Sequence, residues 1–316
     1  MQYEGGKISV PGTYSNLDIE RYHGDITDGF SVSSTGLRKI FHKSAAHFYD
    51  TCYLNPDRAP NKPTEAMILG SAAHHLLLGE RNFLSRFAVR PDKAPDGTGR
   101  DWNGNNLACK AWKQDKAAKG LSVIDSDDWS AIQRIRDQLS KEPMVQAGLL
   151  DGKVEHSIIA RDERTGIWIK ARPDVDPASL GDYVDLKLTA DISDDGLEKS
   201  IASFGYGMQG ALVLECAEQV HGRAIADMTF TLVFVESERP HCVQVRTLDA
   251  TVINEGVKNN RAALNLLDRC LKTNTWPGPS GAQSDARIIG QKPWITERDS
   301  YRRRQIEAQL SIGEQT

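Results

Sequence analysis

Between Lys170 and Ala190 the chain reads KARPDVDPASLGDYVDLKLTA, and this stretch dictates much of what can be built around it. Tyr183–Leu188 is apolar and β-favouring apart from Asp185 and Lys187, so it predicts a strand. Side chains alternate along a strand, which sends Asp185 and Lys187 out of one face while Leu186 enters the core on the other. Upstream, Gly166–Val175 predicts a second strand with Asp174 at its end, directly after Pro173. Two carboxylates then meet at a sheet edge beside one ammonium. Carboxylate oxygens are hard ligands suited to Mg²⁺, and Lys187 is placed to orient and help deprotonate a cation-bound water. The chemistry implied is metal-assisted hydrolysis of a phosphodiester. An acid two residues before a lysine also occurs at Asp151-Gly152-Lys153, so the triplet alone decides nothing. Taken by itself it also fits a surface ion pair on an edge strand.

The surrounding pattern predicts a mixed sheet flanked by helices, an α/β (α+β) architecture. Period-two, β-branched segments cover Val154–Ala160, Gly166–Val175, Tyr183–Leu188, Ala226–Val235 and Cys242–Thr247, with a hairpin turn at Asp162–Gly166. Helical spacing covers 194–203, 206–218 and 250–271 in this half. Before residue 150 the pattern is mainly helical, with helices over 34–48, 64–87, 107–118 and 126–140 and a polar Gly/Asp/Asn loop at 91–106. Residues 1–30 read as an N-terminal extension. Residues 31–272 read as one domain, with a helical part at 31–150 and a sheet core at 151–272. Residues 273–316, rich in Pro, Gly and Ser at their start, read as an extended or disordered arm.

Composition excludes several classes. The five cysteines are scattered with no CxxC pair, which argues against a disulfide framework or a zinc site and fits a reducing, cytoplasmic setting. No apolar run reaches the roughly 20 residues of a membrane span, and the N-terminus lacks a secretory pattern. The formal charge of −4 argues mildly against a nucleic-acid partner when read as a total. Its distribution says otherwise. Arg38, Lys39 and Lys43 cluster on one predicted helix, and the stretch from Arg287 to Arg304 carries six positive residues against two acids.

Further candidates lie outside the central stretch. His74 shares a helix face with Gly70, which permits close approach of a ligand or backbone, and is a possible metal ligand. An isolated helix histidine is also compatible with a backbone partner. His75 points elsewhere and reads as structural. Glu155 offers a third carboxylate, or is a solvated strand end. Gln209, in the helix that follows the Asp185 strand, can donate to a phosphate or hold a water, or lie on a solvent face.

In order, Gly70-x3-His74, Glu155, Pro173-Asp174, Asp185-x-Lys187 and Gln209 resemble the PD-(D/E)xK nuclease superfamily, and more narrowly its RecE-type exonuclease VIII branch of phage and prophage recombination enzymes. The resemblance spans about residues 30–272. It implies a restriction-endonuclease-like mixed central sheet flanked by helices, and Mg²⁺-dependent degradation of one strand of linear double-stranded DNA from a 5′ end, leaving 3′ tails for recombination. It further implies His74, Asp174 and Asp185 as metal ligands with the Leu186 carbonyl assisting, Lys187 as the catalytic lysine, and Gln209 as a contact to substrate or water. A ring-shaped homo-tetramer on double-stranded DNA ends, handing single strands to an annealing protein, follows from the same resemblance. The sequence departs from relatives at Val213, where a Tyr often stands. A histidine ligand is softer than Mg²⁺ prefers, so Mn²⁺ is expected to substitute. Single-strand or endonucleolytic cleavage, and an inactive DNA-binding scaffold, are the alternative readings.

Overall fold

The computed structural model describes residues 1–58, 64–79, 83–154, 156–177, 181–281, 286 and 288–313. They form two compact units, 1–279 and 280–316. The first opens with strand β1 (Gly12–Tyr14), helix α1 (Ile19–His23), β2 (Ser31–Ser33), α2 (Ser34–His42) and α3 (Ala45–Thr51). The single helix expected over 34–48 is thus two, because Ser44 accepts a hydrogen bond from the His47 backbone N–H and starts a new helix. Next come α4 (Glu65–Leu77), α5 (Phe83–Arg86), β3 (Phe87–Val89), α6 (Leu107–Ala118), β4 (Ser122–Ile124), α7 (Ser126–Leu139) and α8 (Pro143–Gln146). The helix expected to run on to residue 87 ends at Leu77, close to Gly79 with its positive φ of 67°.

The β-rich half contains β5 (Gly152–Val154), β6 (Ser157–Arg161), β7 (Trp168–Ala171), β8 (Val175–Pro177), β9 (Asp182–Thr189), α9 (Asp194–Phe204), α10 (Tyr206–His221), β10 (Thr229–Glu236), β11 (Val243–Thr247) and α11 (Ala250–Thr273). Two strands expected to be continuous are each broken, and the pieces belong to different sheets. The antiparallel pair β6/β7 sits in a four-stranded sheet of order β1-β6-β7-β2. The antiparallel pair β5/β8, its continuation, sits in a five-stranded sheet of order β11-β10-β9-β8-β5. The chain bends between the sheets at Arg172–Asp174. Pro173 has no N–H to give a ladder, and Arg172 commits its guanidinium to Ser157 Oγ (2.8 Å) and the Leu17 carbonyl (2.5 Å).

Strand β9 pairs in parallel with β10 and antiparallel with β8, so the five-stranded sheet is mixed. Its alternation is as expected. Val184 and Leu186 pack with Val233, Val235, Ile135 and Leu139 on one face. Tyr183, Leu232 and Phe234 join the main core with α10, α2 and α11 on the other. Helix α10 is buried along most of its length, which explains why it shows little polar face in sequence.

Helix α11 meets α10 through Asn260, whose amide donates to the Met208 carbonyl (3.0 Å) and to Glu215 Oε2 (3.2 Å). Burial pushes the Glu215 carboxyl up to about 7 against this hydrogen bond. An acid whose folded pKa is raised favours folding below its ordinary value of 4.5 and loses that contribution as pH climbs through about 7. Glu215→Gln is therefore expected to stabilise the protein at pH 8 by on the order of 2 kcal/mol and to leave stability at pH 4.5 nearly unchanged. Urea denaturation at the two pH values checks this; equal gains at both contradict it.

Residues 273–279, expected at the start of the arm, belong to the first unit. Trp276 stacks on Tyr49 at 4.6 Å between ring centroids, and the Pro277 carbonyl accepts from the Ala46 N–H (3.0 Å). The second unit contains helix α12 (Pro293–Gly313) where an extended or disordered arm was expected. Its residues have no apolar stripe at helical spacing, so no periodic signal marks it. Among the described residues no helix is long and apolar enough to cross a membrane.

Candidate active site

The bend between the sheets and the middle of β9 bring the predicted acids together. Asp174 follows Pro173 in the bend, one residue before β8. Its Oδ2 accepts the Leu186 backbone N–H at 2.6 Å, which ties the bend to β9 between Asp185 and Lys187. The Leu186 side chain is fully buried on the opposite face. Asp185 and Lys187 project together, as alternation requires, and form an ion pair through Asp185 Oδ2 and Lys187 Nζ. On one side they pair with Leu232 and Phe234 of β10, and on the other the β8 ladder ends at the Val175–Val184 pair, so Asp174 and the bend stand where a strand would continue. Asp185 is only 2% exposed. The edge-strand surface pair is thereby excluded.

Two helices complete the cluster. His74 on α4 places Nδ1 3.2 Å from Asp174 Oδ2. Gln209, in the first turn of α10, donates Nε2–H to Asp185 Oδ1 at 2.7 Å. Its partner is thus a carboxylate and not solvent. No described part of the chain approaches Gly70 closely: a Cβ there would meet nothing within 4 Å. His75 is buried between Phe83 and Phe87, as a structural residue should be. Glu155 lies outside the described residues.

The charges are mutually dependent. Burial alone would raise the Asp174 carboxyl, but the His74 and Lys187 charges and the His74 and Leu186 hydrogen bonds outweigh it and hold the carboxyl low. Burial and the adjacent Asp174 charge push Asp185 up against the pull of Lys187. Burial works against the charged forms of His74 and Lys187, yet Asp174 raises the imidazole and the two carboxylates raise the ammonium. Lys187 therefore stands as a proton-bearing donor, not as a free base.

These residues open onto a cavity of about 220 Å³ whose lining includes Asp174, Asp185, Lys187, Gln209, Arg172, Arg38 and the start of α2 at Ser33–Thr35. Arg38, one of the basic residues clustered on α2, lines the cavity and donates Nη1–H to the Phe204 carbonyl (2.7 Å). Tyr206, not singled out in sequence, sits with its ring centroid 5.0 Å from Lys187 Nζ. The signal available was its position three residues before Gln209, on the same helix face. Val213 lines the cavity and is almost fully buried.

Among the described residues no three His, Cys, Asp or Glu side chains are gathered in the geometry of a finished metal centre. The donor chemistry nonetheless fits a divalent cation. The half-buried Asp174 lies close enough to the buried Asp185 to raise its carboxyl, a repulsion that a cation relieves. The Gln209 amide oxygen is buried beside them with no hydrogen-bond donor among the described residues, so a hydrated ion has a place to give a hydrogen.

Residues 33–286 match a family described as a PDDEXK-like domain of unknown function, and the chain belongs to that family. The fold is shared with the crystal structure of a candidate exonuclease from Eubacterium rectale. That structure is 14% identical, aligns with a TM-score of 0.58 and covers 90% of this chain and 98% of its own. A phage-related exonuclease from Haemophilus somnus (12% identity, TM-score 0.27, 65% of this chain and 95% of that one) is more distant. So is an alkaline exonuclease from Laribacter hongkongensis (14% identity, TM-score 0.23, 54% and 86%). No curated protein matches the chain in sequence.

Proposed function

We propose that this protein is a metal-dependent exodeoxyribonuclease that degrades one strand of linear double-stranded DNA from the 5′ end. The observation that carries the reading is the cluster of buried Asp185 with half-buried Asp174 and Lys187 at a cavity on a PDDEXK-like fold. A plain structural ion pair needs one carboxylate for one ammonium. Here a second carboxylate is brought against the first at an electrostatic cost, as a site for a multivalent cation demands.

Asp174, Asp185 and His74 are the residues that would hold the ion, with the Leu186 carbonyl beside them. A divalent cation supplies Lewis-acid stabilisation of charge on the scissile phosphate. The remaining work falls to the chain. Lys187 carries a proton at the cavity wall, where its ammonium donates to a developing negative charge or holds the attacking water in line. Gln209 fixes the rotamer of Asp185, and the Leu186 N–H fixes that of Asp174, so both carboxylates are oriented before substrate arrives. Arg38 adds a second positive charge at the wall for a backbone phosphate.

Chelation with EDTA is expected to abolish hydrolysis of linear duplex, and Mg²⁺ or Mn²⁺ to restore it, with Mn²⁺ at least as effective because of His74. Solubilisation of labelled DNA measures both. Full activity in EDTA contradicts the metal requirement. Cleavage of covalently closed circles as fast as linear duplex contradicts the exonuclease assignment.

A further inference from the structure

We propose that Tyr206 is a positioning residue for Lys187: its ring holds the ammonium inside the acid cluster, while Gln209 on the same helix turn holds Asp185. The assignment rests on the nuclease reading above. Lysine is a point charge on a flexible stem, and one ion pair does not by itself keep it from swinging into the cavity and toward solvent. The Tyr206 ring lies 5.0 Å from Lys187 Nζ, within cation–π range. Residues three apart on a helix share a face, so a single turn of α10 engages both functional residues of β9.

That turn is held with unusual firmness. Gly205, between α9 and α10, has φ of 66°, and a Cβ there would lie 2.7 Å from His42 Nε2. A Cβ on Gly256 of α11 would lie 2.2 Å from the Gly207 carbonyl oxygen, and one on Gly207 would lie 2.9 Å from Val252 Cγ1. The helices therefore touch backbone to backbone beside Tyr206, and Asn260 adds its bond to the Met208 carbonyl. The ring is flanked by Phe204, stacked at 5.7 Å, and by Phe234 at 6.2 Å. Phe234 is the residue paired with Lys187 across β9 and β10. These contacts seat the ring against the main core and fix its position. Held there, the ring also meets the Lys187 ammonium.

The test compares Tyr206→Phe, Tyr206→Met and Tyr206→Leu in steady-state hydrolysis of linear duplex with Mg²⁺, each variant checked for a wild-type circular dichroism spectrum. Tyr206→Phe keeps the ring and is expected within about twofold of wild-type kcat, whereas Tyr206→Met and Tyr206→Leu lose about tenfold in kcat with KM unchanged. In a Lys187→Gln background Tyr206→Met is expected to have no further effect, because the group it positions is gone. Acylation footprinting reads the same point without activity: Lys187 becomes more reactive in Tyr206→Met and stays protected in Tyr206→Phe. Wild-type kcat and unchanged Lys187 labelling in a folded Met or Leu variant overturn the proposal, as does a loss undiminished in the Lys187→Gln background. An active wild type with these results sinks the Tyr206 assignment alone. A wild type inactive in every metal sinks the nuclease reading and this assignment with it.

Discussion

Asp185→Asn is expected to reduce hydrolysis of linear duplex by at least about a thousandfold, the range seen when a group that stabilises transition-state charge is removed. The change is nearly isosteric, and the amide can still accept from Gln209 as Asp185 Oδ1 does. What it removes is the negative charge. With it goes the pairing of two close carboxylates, which distinguishes this cluster from a structural ion pair. Asp185→Ala is expected to lose activity equally, and to lose stability as well, since it leaves Lys187 beside an emptied space and breaks a buried pair. DNA retention in a mobility-shift assay should survive in Asp185→Asn, because phosphate contacts do not run through this carboxylate. Titration with Mn²⁺, followed by its electron paramagnetic resonance signal, should show weakened ion binding. Wild-type hydrolysis by a folded Asp185→Asn variant contradicts the assignment of the site.

Lys187→Met is expected to lower kcat by about a hundredfold or more and to affect the ion in the opposite sense. Lys187 puts a positive charge against Asp185, and its removal takes away a competitor for that carboxylate. Mn²⁺ should bind the variant at least as tightly as it binds the wild type. The two substitutions therefore separate two roles within one ion pair: loss of Asp185 costs both ion and activity, and loss of Lys187 costs activity alone. A Lys187→Met variant that loses Mn²⁺ along with hydrolysis would show that the lysine acts through the structure of the site and not on the reacting atoms.

Much of this site was legible in the sequence, and for identifiable reasons. Asp185 and Lys187 stand in an apolar strand where alternation fixes their common face, a local rule that long-range packing does not alter. The hairpin at 162–166 was equally local: Asp162 accepts from the Thr165 N–H and hydroxyl, and Gly166 has φ of 71°. The bend at Arg172–Asp174 was not legible. The apolar pattern continues on both sides of it, and what breaks the strand is a proline together with an arginine whose partners come from Ser157 and from Leu17, 155 residues away. That bend moves Asp174 off the strand and sets it beside β9 where the β8 ladder ends. Arg38 and Tyr206 were missed for the same kind of reason. Each lies beside an ordinary helical stripe, and only the meeting of α2, α10 and β9 gives it a functional neighbour. The helix at 293–313 escaped because nothing apolar marks a face.

The reading of −4 as a sign against nucleic acid also changes. Asp185 is buried and Asp174 half-buried, so both contribute to that total while presenting little negative surface. Affinity for duplex is expected to fall as salt rises, as it does wherever phosphate contacts release counterions.

The most direct measurement uses one linear duplex labelled on the same strand at either its 5′ or its 3′ end, incubated with the wild-type protein and with Asp185→Asn, in Mg²⁺ and in EDTA. In Mg²⁺ the wild type is expected to release the 5′ label as short product at once and to retain the 3′ label on progressively shorter strands. EDTA and Asp185→Asn should each leave both labels on full-length DNA. Early release of the 3′ label would reverse the polarity. Intact DNA with wild-type protein in both Mg²⁺ and Mn²⁺ would contradict the assignment of this protein as a nuclease.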